Sequence, residues 1–314
     1  MTVRVEKYDR AAHRDTWNGF LEKAKNGHFM FNRDYMEYHS DRFTDCSLLV
    51  YEKDRLAALF PANIGGDTVY SHQGLTFGGI ITREDSINTP LMLHILGEIT
   101  RHLRTAGVKK LVYKPIPYIY HIHPAEEDLY ALFREKAELT RMDVSTVINY
   151  ASRGKISSLR QRGARKAQKA GITYQPSDRW DDFWHLLSER LKERHGQKPV
   201  HTLQEIRLLA SRFPQNIRLQ TAEAGGEIQA GVVIFENPTV AHAQYICAGD
   251  EGFRNGALDG LFEHLIGLYS DRRYFSFGIS TEEAGRVLNE GLILQKEGFG
   301  GSAINHTVFS LSFA

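Results

Sequence analysis

Residues 291–301, GLILQKEGFGG, carry a lysine and a glutamate to the end of an apolar run and then set Phe299 between glycines. Two accounts of Lys296 are open. A cation in the last turn of a helix complements the macrodipole, and a glycine just after it is the usual stop. That explains Lys296 and Gly298 but leaves Phe299 and the pair Gly300-Gly301 without a reason. The other account puts the ammonium at the mouth of a pocket. A second candidate stands in FGISTEEAG (277–285). Ser280 is no nucleophile elbow, because Gly-x-Ser-x-Gly is not satisfied. Ser280 or Thr281 is expected to cap a following helix, with Glu282 and Glu283 in its first turn. Glu282 has the alternative role of a general base that takes a proton from an acceptor amine.

The segment DEGFRNGALDG (250–260) places Gly252, Gly256 and Gly260 around a helix start. Unpaired N–H groups there favour a phosphate, and glycines let a ligand come close. Turn geometry and close packing are the plainer reason for the same glycines. In AHAQYICAG, alternation puts His242, Gln244 and Ile246 on one face and Ala243 and Tyr245 on the other. Residues 152–171, SRGKISSLRQRGARKAQKAG, hold seven basic residues and no acidic one. At helical period Lys155, Arg162, Arg165, Lys166 and Lys169 fall on one arc beside an apolar stripe of Ile156, Leu159, Gly163, Ala167 and Ala170. This is either a solvated face or a ridge that binds phosphates without regard to sequence. Arg194-His195 opens a polar loop reaching His201, which is either solvated or closes over a substrate. HIH at 121–123 has no third ligand at metal spacing, so no metal is expected.

The elements that must hold these residues come in two similar runs. The first half reads as strand 3–8, helix 14–26, two strands within 47–64, and a strand entering the glycine-rich segment 68–81. Helix 90–107, strand 108–116 and helix 123–140 follow. The second half reads as helix 181–196, three strands within 217–251, helix 257–270, strand 274–280, helix 282–298 and strand 304–312. Each half thus runs antiparallel strands, a glycine-rich turn, a helix, a strand and a helix. That order predicts an internal structural repeat, with domains over 1–150 and 151–314 and the basic helix 152–171 joining them.

A chain of 314 residues is long for one core. The balance of 39 basic and 38 acidic residues singles out no polyanionic partner by net charge. Cys46 and Cys247 form no CxxC, which fits a reducing compartment. MTVRVEKYDRAAHR lacks the apolar core of a signal peptide, and no apolar run approaches the length needed to span a bilayer. A cytoplasmic protein without a membrane span is expected.

The element order, with Asn289 through Phe299 (NEGLILQKEGF) at its end, resembles the GCN5-related N-acetyltransferase (GNAT) superfamily. The tandem arrangement, the Lys with its Gly-Phe-Gly ending and the helix LRQRGARKAQKAGI (159–172) are similar to the FemAB-type aminoacyl and acyl transferases. The resemblance implies an α/β protein of two GNAT-like domains in tandem, with mixed sheets flanked by helices. It implies transfer of an acyl or aminoacyl group to an acceptor amine by direct attack. The donor is acyl-CoA, such as acetyl-CoA, or aminoacyl-tRNA; the acceptor is a small molecule or a cell-wall precursor. Lys296 is then expected to stabilise the oxyanion. Tyr245, Arg254, Asn255 and Gly256 should meet the donor, Arg162, Arg165 and Lys166 its phosphates, and His72 and Gln73 the acceptor in a groove between the domains. Two positions depart from the GNAT pattern. Aligned on Gly256, the pyrophosphate loop has Phe253 at its first position and Leu258 at its last, with Arg254 one place late. Leu294 stands where a tyrosine often protonates the leaving thiolate. A GNAT scaffold that binds a ligand or partner without catalysis is the alternative these departures keep open.

Overall fold

The structure, a computed structural model, describes residues 2–83 and 87–313, with the side chains of Arg194 and His195 outside the described set. The polar pair Arg194-His195 therefore lies outside the described residues as far as its side chains go. Contacts divide the chain into two compact units, Met1–Asp143 with Asn305–Ala314, and Val144–Ile304. The chain leaves the first unit within one strand and returns to it within another.

The first unit opens with β1 (Val3–Lys7), α1 (Arg10–Leu21), α2 (Arg33–Met36), β2 (Thr44–Asp45), β3 (Leu48–Glu52) and β4 (Arg55–Phe60). It continues with β5 (Asn63–Gly65), β6 (Thr68–Tyr70), β7 (Ile81–Thr82), α3 (Thr89–Thr105), β8 (Lys110–Tyr113), α4 (Glu127–Arg134) and β9 (Glu138–Asn149). One sheet has the order β1-β3-β4-β7. Elsewhere in the unit β5 pairs antiparallel with β2 and β6, and β6 runs parallel to β8. The Asn88 side chain accepts from Leu91 N at 2.9 Å and so starts α3. Met92, Ile95, Leu96, Ile99 and Leu103 follow at helical spacing and are all buried in the core. Two sequence expectations need correction. The first helix begins at Arg10, not residue 14, because the Asp9 side chain caps it by accepting from Ala12 N at 2.9 Å. The helix expected over 123–140 stops at Arg134: Lys136 at φ 58 reverses the chain, and residues from Glu138 are strand.

The second unit runs α5 (Ser158–Lys169), β10 (Thr173–Ser177), α6 (Trp180–His195), α7 (Leu203–Arg212), β11 (Ile217–Ala224), β12 (Glu227–Glu236) and β13 (Val240–Ala248). Then come α8 (Asp250–Asn255), α9 (Ala257–Leu268), β14 (Tyr274–Ile279), β15 (Thr281–Glu282), β16 (Val287–Leu288), α10 (Glu290–Glu297) and β17 (Ser302–Ser312). Its sheet has the order β10-β11-β12-β13-β14-β9, antiparallel except for the parallel pair β13–β14. The repeat expected from the sequence is present: β6, α3, β8 and α4 in one unit match β13, α9, β14 and α10 in the other, each with its parallel pair. Leu261, Phe262 and Leu265 of α9 lie in the core of this unit, each worth about 1.5–3 kcal/mol when fully buried. The last strand, β17, pairs Phe309 through Ser312 with Tyr113 through Lys110 of the first unit.

The helix expected over 282–298 is also corrected. Glu283, Ala284 and Gly285 all have positive φ, at 48, 55 and 87, which no helix accommodates. They fold residues 281–288 into a hairpin in which Thr281 faces Leu288. Helix α10 starts only at Glu290, where Asn289 is the cap and accepts from Leu292 N at 3.0 Å. Ser280 and Thr281 therefore cap no helix. Among the described residues no helix is long and apolar enough to cross a membrane.

Candidate active site

Strands β13 and β14 pair in parallel at Val240–Tyr274, Ala241–Phe275 and His242–Ser276. Beyond that point β13 runs on alone to Ala248, while β14 turns. Gly278 has φ 74, and a Cβ there would lie 3.4 Å from His242 Cε1, so glycine serves both the turn and the close approach. Opposite the turn, the β12–β13 register places Tyr245 against Val233 but Ala243 against Ile234. Gln244 is therefore an extra residue in a bulge, which re-aims the strand and is a frequent companion of active sites. His242 Nδ1 lies 3.0 Å from Ser276 Oγ, and Gly278 N donates to the same oxygen at 3.3 Å. Serine, histidine and glycine together hold the fork where the strands part.

Lys296 reaches this fork from the last turn of α10. Its Nζ donates to Gly278 O at 3.0 Å and to Ile279 O at 2.6 Å. The side chain is 5% exposed, and burial alone pulls its pKa from 10.5 down to about 8. An ammonium has three donors. Two are taken by the strand-end carbonyls of Gly278 and Ile279.

The rest of GLILQKEGFGG is explained by packing. Phe299 is buried, stacked on Phe277 at 5.6 Å with Phe262 at 5.4 Å. Gly298 O accepts from Ser157 N at 2.8 Å and Gly300 O from Gly154 N at 2.9 Å, which docks the chain just before α5 onto this turn. Gly300 has φ 87, and a Cβ on it would meet Gly154 O at 2.4 Å. The aromatic and the glycine pair thus anchor the turn that carries Lys296.

The remaining candidates are spread more widely. Glu282 is exposed on the hairpin leaving β14, and its Oε1 accepts from Asn289 Nδ2 at 3.0 Å. Arg254 is exposed and paired with Glu251 at 2.7 Å. The Asn255 side chain accepts from Ala257 N at 3.0 Å, across the start of α9. Gly256 has φ 79, and a Cβ there would lie 2.3 Å from Gly163 O; equivalent atoms on Gly252 and Gly260 would strike Gln229 O and the Tyr174 hydroxyl, each at 2.0 Å. All three glycines are thus spent on close contacts with neighbouring protein groups. Tyr245 is buried on β13 beyond the fork and meets His201. Arg162, Arg165 and Lys166 are exposed along α5, while Ala167 is buried and Leu159 is not. In the first unit His72 is buried at φ 66, with burial and neighbouring cations lowering its pKa to about 3. Gln73 N donates to Asn63 Oδ1 and Asn63 Nδ2 donates to Gln73 Oε1, both at 2.8 Å.

Lys296, Glu282 and Tyr245 belong to elements that meet or leave the fork; Arg254, Asn255 and Gly256 belong to the turn after β13. Ser276 and Gly278 were not picked out from the sequence, and only the glycine inside a strand pattern signals them. A hollow of about 610 Å³ between α5, α9 and β10 includes Gln161, Arg165, Gln168, Tyr174 and His264. It contains neither Lys296 nor the residues of the fork. No group of three or more His, Cys, Asp or Glu among the described residues could hold a metal ion.

Residues 153–284 match the family model of the acetyltransferase (GNAT) domain. No curated protein matches the sequence. Among solved structures FemX superimposes with a TM-score of 0.68 at 10% identity, over 98% of this chain and 97% of that one. L-PGS from Bacillus licheniformis gives 0.59 at 14% identity, over 95% and 86%. A tandem GNAT protein from the clavulanic acid biosynthesis pathway gives 0.54 at 11%, over 99% and 98%. At these identities the likeness is one of fold. Residues 153–284 thus match a GNAT domain, and the chain as a whole shares the fold of FemX and of the tandem GNAT protein.

Proposed function

We propose that this protein transfers an acyl or aminoacyl group from an activated donor to an acceptor amine by direct attack at the β13–β14 fork. One observation carries the reading: a buried ammonium, Lys296, held with two of its protons on strand-end carbonyls and a third to offer. A tetrahedral intermediate places negative charge on the former carbonyl oxygen, and a fixed cationic donor in a water-poor site stabilises it. Glu282, exposed on the adjoining hairpin, takes the proton of the amine's cationic form before the attack. The acceptor is a small molecule or a cell-wall precursor. The reaction is placed in the cytoplasm, in keeping with two free cysteines.

Between the donors, aminoacyl-tRNA is favoured over acyl-CoA. The start of α9 is packed on Gly163 and Arg254 of α8 is paired with Glu251, which argues against a pyrophosphate at Arg254, Asn255 and Gly256. The exposed Arg162, Arg165 and Lys166 suit a longer polyanion. Thermal unfolding with coenzyme A, acetyl-CoA, a long-chain acyl-CoA and alanyl-tRNA tests this. A ligand at about 100 times its Kd adds roughly 2.7 kcal/mol of stability. Stabilisation by alanyl-tRNA alone supports the favoured donor, stabilisation by a CoA ester reverses it, and none with any of them refutes acyl transfer in favour of a non-catalytic scaffold.

A further inference from the structure

A second pair of polar side chains meets at β13 just past the fork. Tyr245 and His201 are 9% and 6% exposed. The Tyr245 hydroxyl lies 2.5 Å from His201 Nδ1 and accepts from the His201 main-chain N–H at 3.3 Å. Trp184 of α6 meets the Tyr245 ring edge to face at 4.9 Å. His201 belongs to the short connection between α6 and α7, which is fixed at both ends. Gly196 closes α6 in the left-handed region, and Thr202 opens α7 with a complete capping box to Glu205. The imidazole is therefore carried by a well-held segment and delivered to a strand residue beside the Gln244 bulge.

A phenol oxygen that accepts the main-chain N–H can at the same time donate its own proton to Nδ1, in the tautomer that carries the imidazole proton on Nε2. Imidazole is the side chain whose ordinary proton exchange lies nearest neutrality. We propose that Tyr245 and His201 are the proton relay of the transfer reaction, with Tyr245 the group that touches the attacking amine and His201 acting through it. The relay rests on the acyl-transfer reading above. The amine nitrogen forms its bond to the acyl carbon, and the carbonyl π pair moves onto the oxygen facing Lys296. The proton released from nitrogen goes to the Tyr245 oxygen as the tyrosine proton passes to His201 Nδ1. Collapse of the intermediate breaks the bond from acyl carbon to the donor oxygen or sulfur, which leaves with the electron pair. The proton on His201 passes back through the Tyr245 hydroxyl to that leaving atom, so the products are the amide and the protonated leaving group. The relay gives the amine a proton acceptor that is shielded from water, which Glu282, exposed and bonded to Asn289, does not.

The test has two arms on the full chain. In the first, long-range proton–nitrogen spectra of histidine-labelled protein identify the His201 tautomer at neutral pH, with His201→Gln assigning the signal. Nδ1 without a proton, and a signal displaced by Tyr245→Phe, is expected; a protonated Nδ1 overturns the relay, because it has nothing to accept. In the second, transfer from acetyl-CoA and from alanyl-tRNA to glycinamide is followed together with donor affinity. Tyr245→Phe should lower kcat by about 100-fold or more, the usual scale for a lost acid–base group, with donor Kd within about twofold. His201→Gln keeps an acceptor for the tyrosine hydroxyl but takes no proton, and should slow turnover in the same way without unfolding the site. Parent-like turnover of both variants overturns the relay and leaves acyl transfer standing. Binding of neither donor to the parent overturns acyl transfer itself, and the relay with it.

Discussion

Replacing Lys296 with methionine separates what the lysine does for stability from what it does for chemistry. Burial holds its pKa near 8 rather than 10.5, about 2.5 pH units lower. At about 1.36 kcal/mol per unit, keeping the ammonium in the folded chain costs about 3 kcal/mol wherever it is charged in both states. The sign follows from proton counting. Between pH 8 and 10.5 the unfolded chain binds this proton and the folded chain does not, so stability rises with pH. The contribution is fully present above the unfolded pKa and is lost as pH falls through the folded one. At about pH 7.5 the penalty stands near 3 kcal/mol, and at about pH 10 it falls below 1 kcal/mol. The loss of the two hydrogen bonds to Gly278 O and Ile279 O in the variant does not change with pH and cancels in the comparison. Urea unfolding of parent and Lys296→Met at both pH values should therefore show the parent gaining about 2–3 kcal/mol on the variant as pH rises. The variant should also be inactive at both. An equal stability difference at the two pH values would refute the reasoning, since it would mean an ordinary, hydrated lysine that no buried oxyanion site requires.

Gly300→Ala should cost about 2–4 kcal/mol, because alanine is strained at positive φ and its Cβ meets a main-chain oxygen; an unchanged urea midpoint would deny the tight turn. Reversing the charges of Arg162, Arg165 and Lys166 together should leave that midpoint alone while lowering tRNA affinity. The plot of log affinity against log salt should flatten by about 2–3, as each lost phosphate contact predicts; an unaltered slope would exclude the ridge. In the first unit, Asp128 is buried and receives the Tyr113 hydroxyl at 2.6 Å, and desolvation lifts its pKa from 3.8 to about 6. A raised carboxylate favours folding below the unfolded pKa, and that benefit is lost as pH rises through the folded one. Asp128→Asn should then stabilise the chain by about 1–3 kcal/mol at neutral pH, with the gain fading as pH falls toward 4, measured by thermal unfolding.

How much of this was legible depends on where the deciding information sits. Helices α3 and α9 and strands β11 to β13 carry unbroken periodicity, and their own residues settle them. Glu138–Asn149 begins in Glu-Leu-Thr after a helical run and reads as more helix. Its strand form is decided by distant partners such as Tyr274, opposite Asn149, and Val308 O, which accepts from Thr140 Oγ1 at 3.2 Å. The acids at 282–283 suggest a first helical turn, yet three successive positive φ values override them, and composition does not disclose a φ angle. Helix α7 was missed although Thr202 and Glu205 spell a capping box. That signal was present and unread. At the site, Lys296 could be chosen by type and position, but its carbonyl partners exist only because Gly278 bends β14. The pairing of His201 with Tyr245 joins residues that no spacing rule connects.

The route of the chain has a consequence for biogenesis. Leu311 and Phe313 complete the core of the first unit, and β17 supplies the partner of β8 there. Both are synthesised after every residue of the second unit. Until that strand arrives, Met1–Asp143 exposes the edge of β8 and the apolar surface beneath it. Nascent chains usually consolidate from the N-terminus onward, and unpaired edges invite misassembly while they wait. A stop codon just past Ile304 would accordingly damage the N-terminal unit and spare the one beside it in sequence. The part of the protein that emerges first from the ribosome is the part that finishes last.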